Sequence, residues 1–261
     1  MNRIRSYLNQ IKKQKLLIPF ITAGYPDSST TLNLIKAAID SGCDMIEIGF
    51  PFSDPLADGA EVQFSSYHAL KNGMTLARTL RIAEQVRKTS DVPLILMGYY
   101  NPVLSYGENQ FMKDATAAGV DGLIIPDLPA VEASDYKRYA AIHDISTIFL
   151  AAPTTDKNSL KQIEKSCSDF VYAVTVTGVT GGGKVFGRDT DNYLKGLGQA
   201  LSKKFVAGFG ISSPETARRF CKYSDGVVIG SKLISLIRSA KSKSQGVRDA
   251  ARFLSSVRRA I

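Results

Sequence analysis

The sequence predicts an α/β fold, a single (β/α)8 TIM barrel spanning residues 1–261 with an extra N-terminal helix. Eight short apolar runs rich in β-branched residues alternate with amphipathic segments along the whole chain. Strict alternation of this kind implies parallel strands joined by right-handed crossovers. The length of 261 residues also suits an eight-stranded barrel, which typically needs ~250 residues. An open doubly wound sheet is the alternative architecture.

The eight predicted strands are 17–22, 45–49, 93–97, 122–126, 146–150, 170–174, 205–208 and 226–229. Weak internal similarity supports closure of the sheet into a barrel, because Gly-Cys-Asp at 42–44 and Gly-Val-Asp at 119–121 precede the second and fourth strands. A related Ser-Asp-Gly at 224–226 precedes the last. No linker or low-complexity tract divides the chain, so we expect one domain.

Helical segments fill the intervals between the predicted strands. Apolar residues recur at helical spacing in Leu76, Leu80 and Ala83, and Asp27 or Ser28 and Ser213 are placed to cap helix N-termini. Residues 1–13 are predicted to form the extra helix, with Ile4, Leu8 and Ile11 covering the bottom of the barrel.

The formal net charge of +9 is concentrated toward the C-terminus. From Lys232 onward only Asp249 opposes the basic residues, and Phe253 is the only aromatic residue, so we expect no nucleic-acid binding. An apolar stripe at helical spacing indicates a helix with its arginines in solvent, formed by Val247, Ala250, Ala251, Leu254 and Val257. Attraction of an anionic ligand or an acidic partner stays open.

Composition narrows the class of protein further. The chain is 44% apolar and 22% charged, as expected for a soluble globular protein, and no run approaches the ~18 apolar residues that span a membrane. Cys43, Cys167 and Cys221 are far apart and odd in number, which argues against a disulfide framework or a zinc site. We therefore expect a cytoplasmic protein that holds no metal.

Two carboxylates are predicted to form an acid-base pair. Glu47 interrupts an apolar strand that should be covered on both faces, and burial raises the pKa of a carboxyl group toward the range useful for catalysis. Asp58 lies in the stiff loop that follows, at the strand end where barrel enzymes place their active sites. A structural salt bridge for Glu47 and a turn role for Asp58 are the alternatives.

Glycine-rich turns follow the last three predicted strands, at 178–183, 208–213 and 230–231. Barrel enzymes hold phosphate groups with backbone N–H groups in this position, together with the N-terminus of a short helix. Apolar side chains at or near strand ends suggest a flat, apolar substrate body joined to the phosphate, although each alone fits a core role: Phe20, Met97, Tyr99, Ile125, Tyr172 and Phe209.

The segment 51–59, Pro-Phe-Ser-Asp-Pro-Leu-Ala-Asp-Gly, resembles the signature of the tryptophan synthase alpha subunit family. Further blocks in register with that family lie at 20–26, 100–102, 121–129, 177–181 and 208–212, so the resemblance covers nearly the whole chain. It implies retro-aldol cleavage of indole-3-glycerol phosphate to indole and glyceraldehyde 3-phosphate, a lyase reaction of tryptophan biosynthesis that uses no metal or cofactor in this chain.

The resemblance also implies roles for single residues. Glu47 matches the group that moves protons, and Asp58 matches the carboxylate beside the indole N–H. Tyr172 and Thr180 match the residues that support that aspartate, whereas Phe20 and Phe209 match the indole pocket. From its place at a strand end, we expect Met97 to join this pocket. The phosphate-binding positions match Gly181, Gly210, Gly230 and Ser231.

A partner is implied as well. In the family, indole passes through a tunnel to a pyridoxal-phosphate beta subunit in an alpha2-beta2 heterotetramer, with the Pro55 and Asp127 regions at or near the interface. This chain departs from the family pattern at Ala60, Glu61 and His68 and in the lid sequence 182–187. A weakly catalytic partner of a beta subunit, and a phosphate-binding barrel isomerase of another pathway, are the alternative functions.

Overall fold

Parallel strands form the centre of the protein. The structure is a computed structural model, and it describes residues 2–11, 14–175, 188–208 and 210–261. The sheet order is β5-β4-β3-β2-β1-β9-β8-β7-β6, and every recorded pairing is parallel. The strands are β1 Leu16–Thr22, β2 Ile46–Gly49, β3 Leu94–Met97, β4 Gly122–Ile124, β5 Ser146–Ile148, β6 Leu150–Ala151, β7 Phe170–Val174, β8 Lys204–Gly208 and β9 Gly226–Ile229.

The predicted fifth strand, 146–150, is divided into β5 and β6. At the break, the Phe149 N–H bonds the Cys167 Sγ at 3.2 Å instead of joining the sheet ladder. The β5 segment pairs with β4 and β6 pairs with β7, so the two ends of the sheet order are consecutive in the chain. The eight-stranded barrel is therefore confirmed, with one strand bent at Phe149, and the predicted strand 122–126 ends at Ile124.

The helices surround the strands in the predicted alternation. Asp27 caps the helix Ser28–Asp40, and its side chain accepts a hydrogen bond from the backbone N–H of Thr30. Ser213 caps the helix Pro214–Phe220 in the same way, with the N–H of Thr216 as the donor. The described helices are α1 Arg3–Gln10, α2 Ser28–Asp40, α3 Ala60–Lys71, α4 Leu76–Arg87, α5 Tyr100–Tyr106, α6 Glu108–Ala117, α7 Ser134–Ile142, α8 Lys157–Ser166, α9 Arg188–Ala200, α10 Pro214–Phe220, α11 Ser231–Ser239 and α12 Lys243–Arg258.

Helix α1 closes the bottom of the barrel. Ile4 is fully buried, and a Cβ added to Gly122 would lie 2.7 Å from the Ile4 Cδ1 atom, so glycine at the start of β4 makes room for this plug. The Asn2 side-chain amide donates to the carbonyls of Asp121 at 2.6 Å and Asp144 at 2.8 Å. The extra N-terminal helix is thus confirmed, although Leu8 and Ile11 are only half-buried.

The aspartates before the predicted strands hold the neighbouring strands. Asp44 accepts a bond from the Leu17 N–H at 2.6 Å, Asp121 from Leu94 at 2.9 Å and Asp225 from Phe205 at 3.0 Å. Each carboxylate therefore satisfies a backbone donor at the start of the adjacent strand, where an unpaired buried donor would be costly. The sequence repeat reflects this repeated contact.

The C-terminal helix α12 buries the predicted apolar stripe at Ala250, Leu254 and Val257. Several of its basic residues form ion pairs, and Arg258 differs from the expected solvent position. Its guanidinium turns inward to the buried Asp44 carboxylate at 2.8 Å. Among the described residues, no helix is both long and apolar enough to cross a membrane.

We predict that Asp44→Ala lowers the free energy of unfolding by about 3–5 kcal/mol, because it leaves the Arg258 charge and the Leu17 N–H buried without their acceptor. Urea denaturation measures the loss. Asp40→Ala is the matched control, since Asp40 is exposed and pairs with Lys36 one helical turn away, a contact worth less than about 0.5 kcal/mol. Equal losses in the two variants would contradict this account of the strand-capping aspartates.

Candidate active site

Glu47 is a carboxyl group buried inside the barrel. It lies in β2, paired on one side with Phe20 and on the other with Ile95, and its exposed fraction is 1%. Neither carboxyl oxygen has a hydrogen-bond partner among the described residues. Burial, followed by the nearby charge of Asp58, raises the pKa of Glu47 from 4.5 to about 8. The carboxyl group is therefore held protonated at neutral pH, where it can act as an acid.

Asp58 lies in the loop between β2 and α3, above the strand that carries Glu47. The loop turns back on itself, since the Asp58 N–H donates to the Pro55 carbonyl at 3.0 Å. The Gln63 side-chain amide, one turn into α3, then donates to the Asp58 carbonyl at 3.0 Å. Asp58 is 8% exposed, and burial raises its pKa from 3.8 to about 6 although a hydrogen bond from Tyr99 acts in the opposite direction. At neutral pH Asp58 is thus mostly ionised.

Tyr99 orients Asp58, a role that the sequence analysis did not assign. Its hydroxyl oxygen accepts the Ala57 N–H at 2.9 Å and its O–H donates to the Asp58 carboxylate. The ring stacks on Phe52 with centroids 5.3 Å apart and an interplanar angle of 29°. The available signal was a tyrosine, with its polar hydroxyl, just beyond the carboxyl end of β3.

A cavity joins the two carboxyl groups to the predicted binding positions. Of the eleven residues that we predicted for the site, eight line it together: Phe20, Glu47, Asp58, Met97, Tyr172, Gly210, Gly230 and Ser231. The other three, Thr180, Gly181 and Phe209, lie outside the described residues. Five further residues line the cavity that were not predicted individually as site residues: Val62, Ile211, Ser212, Val228 and Lys232.

Aromatic rings form the apolar walls of this cavity, and glycines on adjacent strands let them approach. A side chain at Gly49 would collide with the Phe20 ring, and one at Gly208 would collide with the Tyr172 hydroxyl. Tyr172 is buried, and burial followed by the negative charges of Glu47 and Asp58 raises its pKa well above the usual value. The wall is therefore flat, apolar and directly beside both carboxyl groups.

One end of the cavity is the N-terminus of α11. Gly230 precedes the helix and its carbonyl accepts the N–H groups of Leu233 and Ile234. Ser231 opens the helix and lines the cavity together with Gly210. The first N–H groups of a helix have no acceptor within it, and the helix dipole is positive at this end. This end of the cavity is suited to a phosphate group.

Metal binding has no support in the described part of the chain. No three side chains of histidine, cysteine, aspartate or glutamate lie close enough there to hold a metal ion. Cys43, Cys167 and Cys221 are buried thiols far from one another in sequence. The chemistry that this site offers is proton transfer by one carboxyl group beside a second, ionised one.

Comparison with known proteins agrees with this geometry. The family model described as tryptophan synthase alpha chain matches residues 7–261. The tryptophan synthase alpha chain of Geobacter sulfurreducens is 41% identical over 263 residues, covering 100% of this chain and 99% of the relative.

Solved structures with the same fold are also similar over almost the full length. Tryptophan synthase subunit alpha from Legionella pneumophila has a TM-score of 0.92 at 33% identity, covering 100% of this chain and 98% of that one. A chain of the tryptophan synthase complex from Pyrococcus furiosus has a TM-score of 0.85 at 34% identity, covering 95% and 99%. The chain belongs to the tryptophan synthase alpha chain family.

Proposed function

We propose that this protein cleaves indole-3-glycerol phosphate to indole and glyceraldehyde 3-phosphate, as the alpha subunit of tryptophan synthase. The observation that carries the proposal is the buried Glu47 carboxyl group, which has no hydrogen-bond partner in the described part of the chain and faces a cavity with the ionised Asp58 beside it. An apolar wall for the indole ring and a helix N-terminus for the phosphate complete the site. Family membership supports the same reaction.

Glu47 is proposed to move both protons of the retro-aldol step. The protonated carboxyl group donates its proton to indole C3, which makes the bond from C3 to the glycerol side chain breakable. The resulting carboxylate takes the proton from the hydroxyl group on the adjacent side-chain carbon. The electron pair of that O–H bond forms the aldehyde C=O, and the electrons of the broken C–C bond return to the ring. Glu47 is protonated again at the end, as required for turnover.

Asp58 is proposed to stay ionised throughout. Protonation at C3 places positive charge on the indole nitrogen, and a fixed carboxylate near that nitrogen stabilises the charge as it develops. Tyr99 supports this role in two ways. The hydrogen bond that its hydroxyl group donates to Asp58 favours the ionised form of Asp58, and the hydrogen bond that it accepts from the Ala57 N–H fixes the loop. Thr180, which lies outside the described residues, is proposed to add a second contact to Asp58.

The phosphate is proposed to lie against the N–H groups at Gly210, Gly230 and Ser231, with Gly181 as a further contact outside the described residues. Phe20, Met97 and Tyr172 would enclose the indole ring, joined by Phe209, which also lies outside the described residues. This arrangement needs no cofactor in this chain, because every proton in the step is carried by Glu47.

We also propose that residues 1–261 act as one catalytic domain in the cytoplasm, bound to a pyridoxal-phosphate beta subunit in an alpha2-beta2 assembly. The solved Pyrococcus furiosus relative is a tryptophan synthase complex. Exposed apolar side chains near the carboxyl ends of the strands suit such a partner: Leu56 is 86% exposed, Val131 68% and Leu104 49%. Leu56 and Val131 lie close to the Pro55 and Asp127 regions that the resemblance places at or near the interface.

Of the alternatives, an isomerase of another pathway is disfavoured by the family relationship over the full chain. A weakly catalytic partner of a beta subunit would need a defect in the site. Ala60 and Glu61, which depart from the family pattern, follow Asp58 and Gly59, yet the Asp58 loop is bonded to Gln63 and Tyr99. These contacts favour the catalytic function.

We expect Glu47→Gln and Asp58→Asn each to reduce indole release from indole-3-glycerol phosphate by at least about 100-fold, since each removes a carboxylate that the step requires. Binding of inorganic phosphate should change little, because neither residue lies at the N-terminus of α11. The assay is run with purified protein, with and without a beta subunit. Near-normal rates in either variant would refute the roles assigned here, and absence of turnover in the unchanged protein even with its partner would refute the lyase function.

The pH dependence of kcat/KM tests the role of Tyr99. Activity should rise as Asp58 ionises with a pKa of about 6 and fall as Glu47 loses its proton with a pKa of about 8. Tyr99→Phe removes the bond that favours ionised Asp58, so the acid limb should move up by about 1 pH unit while the alkaline limb stays in place. In the control variant Tyr100→Phe the lost hydroxyl bonds Glu108 instead. Identical acid limbs in the two variants would show that Tyr99 does not set the pKa of Asp58.

A further inference from the structure

Two helices begin at the cavity and pack against each other. Helix α3 starts at Ala60, two residues after Asp58, and helix α11 starts at Ser231, at the proposed phosphate position. The two helices are in contact along their sides. A contact between them therefore connects the catalytic loop with the phosphate end of the site.

Helix α3 carries the side chains that hold the Asp58 loop. Gln63 donates to the Asp58 carbonyl at 3.0 Å and to the Pro55 carbonyl at 3.4 Å. At the start of the loop, the Ser66 hydroxyl accepts the Phe52 N–H at 3.0 Å and donates to the Phe52 carbonyl at 3.1 Å. Because both ends of the loop are bonded to α3, a shift of this helix moves Asp58.

Arg238, in the last turn of α11, makes two contacts with the start of α3. Its Nη1 atom lies 3.4 Å from Glu61 Oε1, and its guanidinium carbon lies 3.9 Å from the centre of the Phe64 ring. The second Glu61 oxygen is buried and has no hydrogen-bond partner among the described residues, which leaves Arg238 as the cation for this carboxylate. We name these three residues, Glu61, Phe64 and Arg238, the interhelical bracket.

We propose that the interhelical bracket is a positioning device that couples phosphate binding at the start of α11 to the setting of Asp58. None of its three residues lines the cavity, so they act through the helices and not on the substrate. A phosphate bound at Ser231 fixes the position of α11. The interhelical bracket then fixes the first turn of α3 relative to α11. Gln63 and Ser66, which are hydrogen-bonded to the Asp58 loop, fix the loop relative to α3. The inference rests on the proposed function for the location of the phosphate.

The interhelical bracket contributes more to the position of α3 relative to α11 than to the free energy of folding. The side chains of Arg238 and Glu61 are 50% and 32% exposed, and ion pairs at that exposure add little to the free energy of folding. A purely structural contact would alter the melting temperature and leave the communication between the two ends of the site intact. The coupling between two ligands distinguishes these cases, because it is a property of the connection between their sites.

Isothermal titration calorimetry on the full chain measures this coupling. The probes are indole-3-propanol, which carries the ring and a short chain without phosphate, and inorganic phosphate. In the unchanged protein, saturating phosphate should tighten indole-3-propanol binding by about 5-fold, at the lower end of typical coupling between sites. In Arg238→Met, which keeps the apolar stem of the side chain, the ratio should fall to about 1.

Arg252→Met is the matched control, because Arg252 pairs with Asp249 within α12 and does not connect α3 with α11. It should keep the ratio of the unchanged protein. If Arg238→Met folds poorly, Glu61→Gln removes the same ion pair from the other side. The melting temperature of each variant shows whether it is folded.

An unchanged ratio in Arg238→Met or Glu61→Gln, or absence of coupling in the unchanged protein, would overturn the proposal. The titration involves no turnover, so its outcome is separate from the lyase assay. Coupling that disappears with the bracket in a protein that releases no indole would support the bracket and refute the function. Failure of the unchanged protein to bind either probe would refute both.

Discussion

Burial of the Glu47 carboxyl group is the constraint on which the site depends. An ionised carboxylate there would lose its hydration and gain no compensating hydrogen bond from the residues that the structure describes, so the group stays protonated until the pH approaches 8. A strand in the middle of a parallel sheet is rigid enough to impose this burial, because its neighbours β1 and β3 fix its backbone on both sides. The sheet thus holds the Glu47 carboxyl group in a position where its ionisation would destabilise the fold.

Elsewhere in the barrel, buried carboxylates are ion-paired and hydrogen-bonded, in contrast to Glu47. Asp44 accepts bonds from the Leu17 N–H, from Gln14 and from Arg258, and Asp121 accepts from Leu94, Arg3 and Arg87. These carboxylates are paired and serve the fold, whereas Glu47 faces the cavity and has no hydrogen-bond partner among the residues described. The contrast separates structural acids from a candidate catalytic acid by their bonding alone. It also explains why an acidic residue inside a strand, and not one before a strand, indicates function here.

Much of this was predictable from the sequence because it depends on local pattern. The eight strands follow from apolar runs, the extra helix from the spacing of Ile4, Leu8 and Ile11, and the Glu47 site from a charge inside an apolar strand. The rest depends on contacts between distant residues. The break at Phe149 and the inward turn of Arg258 are tertiary features without a local signal, and the position of Tyr99 beyond β3 did not identify Asp58 as its partner. Glu61 was visible as a departure from the family pattern, but its partner Arg238 lies 177 positions away.

The central claim, that Glu47 is buried and protonated at neutral pH, is tested most directly by the stability of Glu47→Gln across pH. Because folding raises the pKa of Glu47 from 4.5 to about 8, the unchanged protein should lose stability relative to the variant as the pH rises through that interval. The loss should approach about 1.4 kcal/mol per pH unit at most, and the two proteins should differ least below pH ~4.5. Urea denaturation of both proteins between pH 4 and 9 measures the difference. A difference that is independent of pH, or that favours the unchanged protein as the pH rises, would contradict the account.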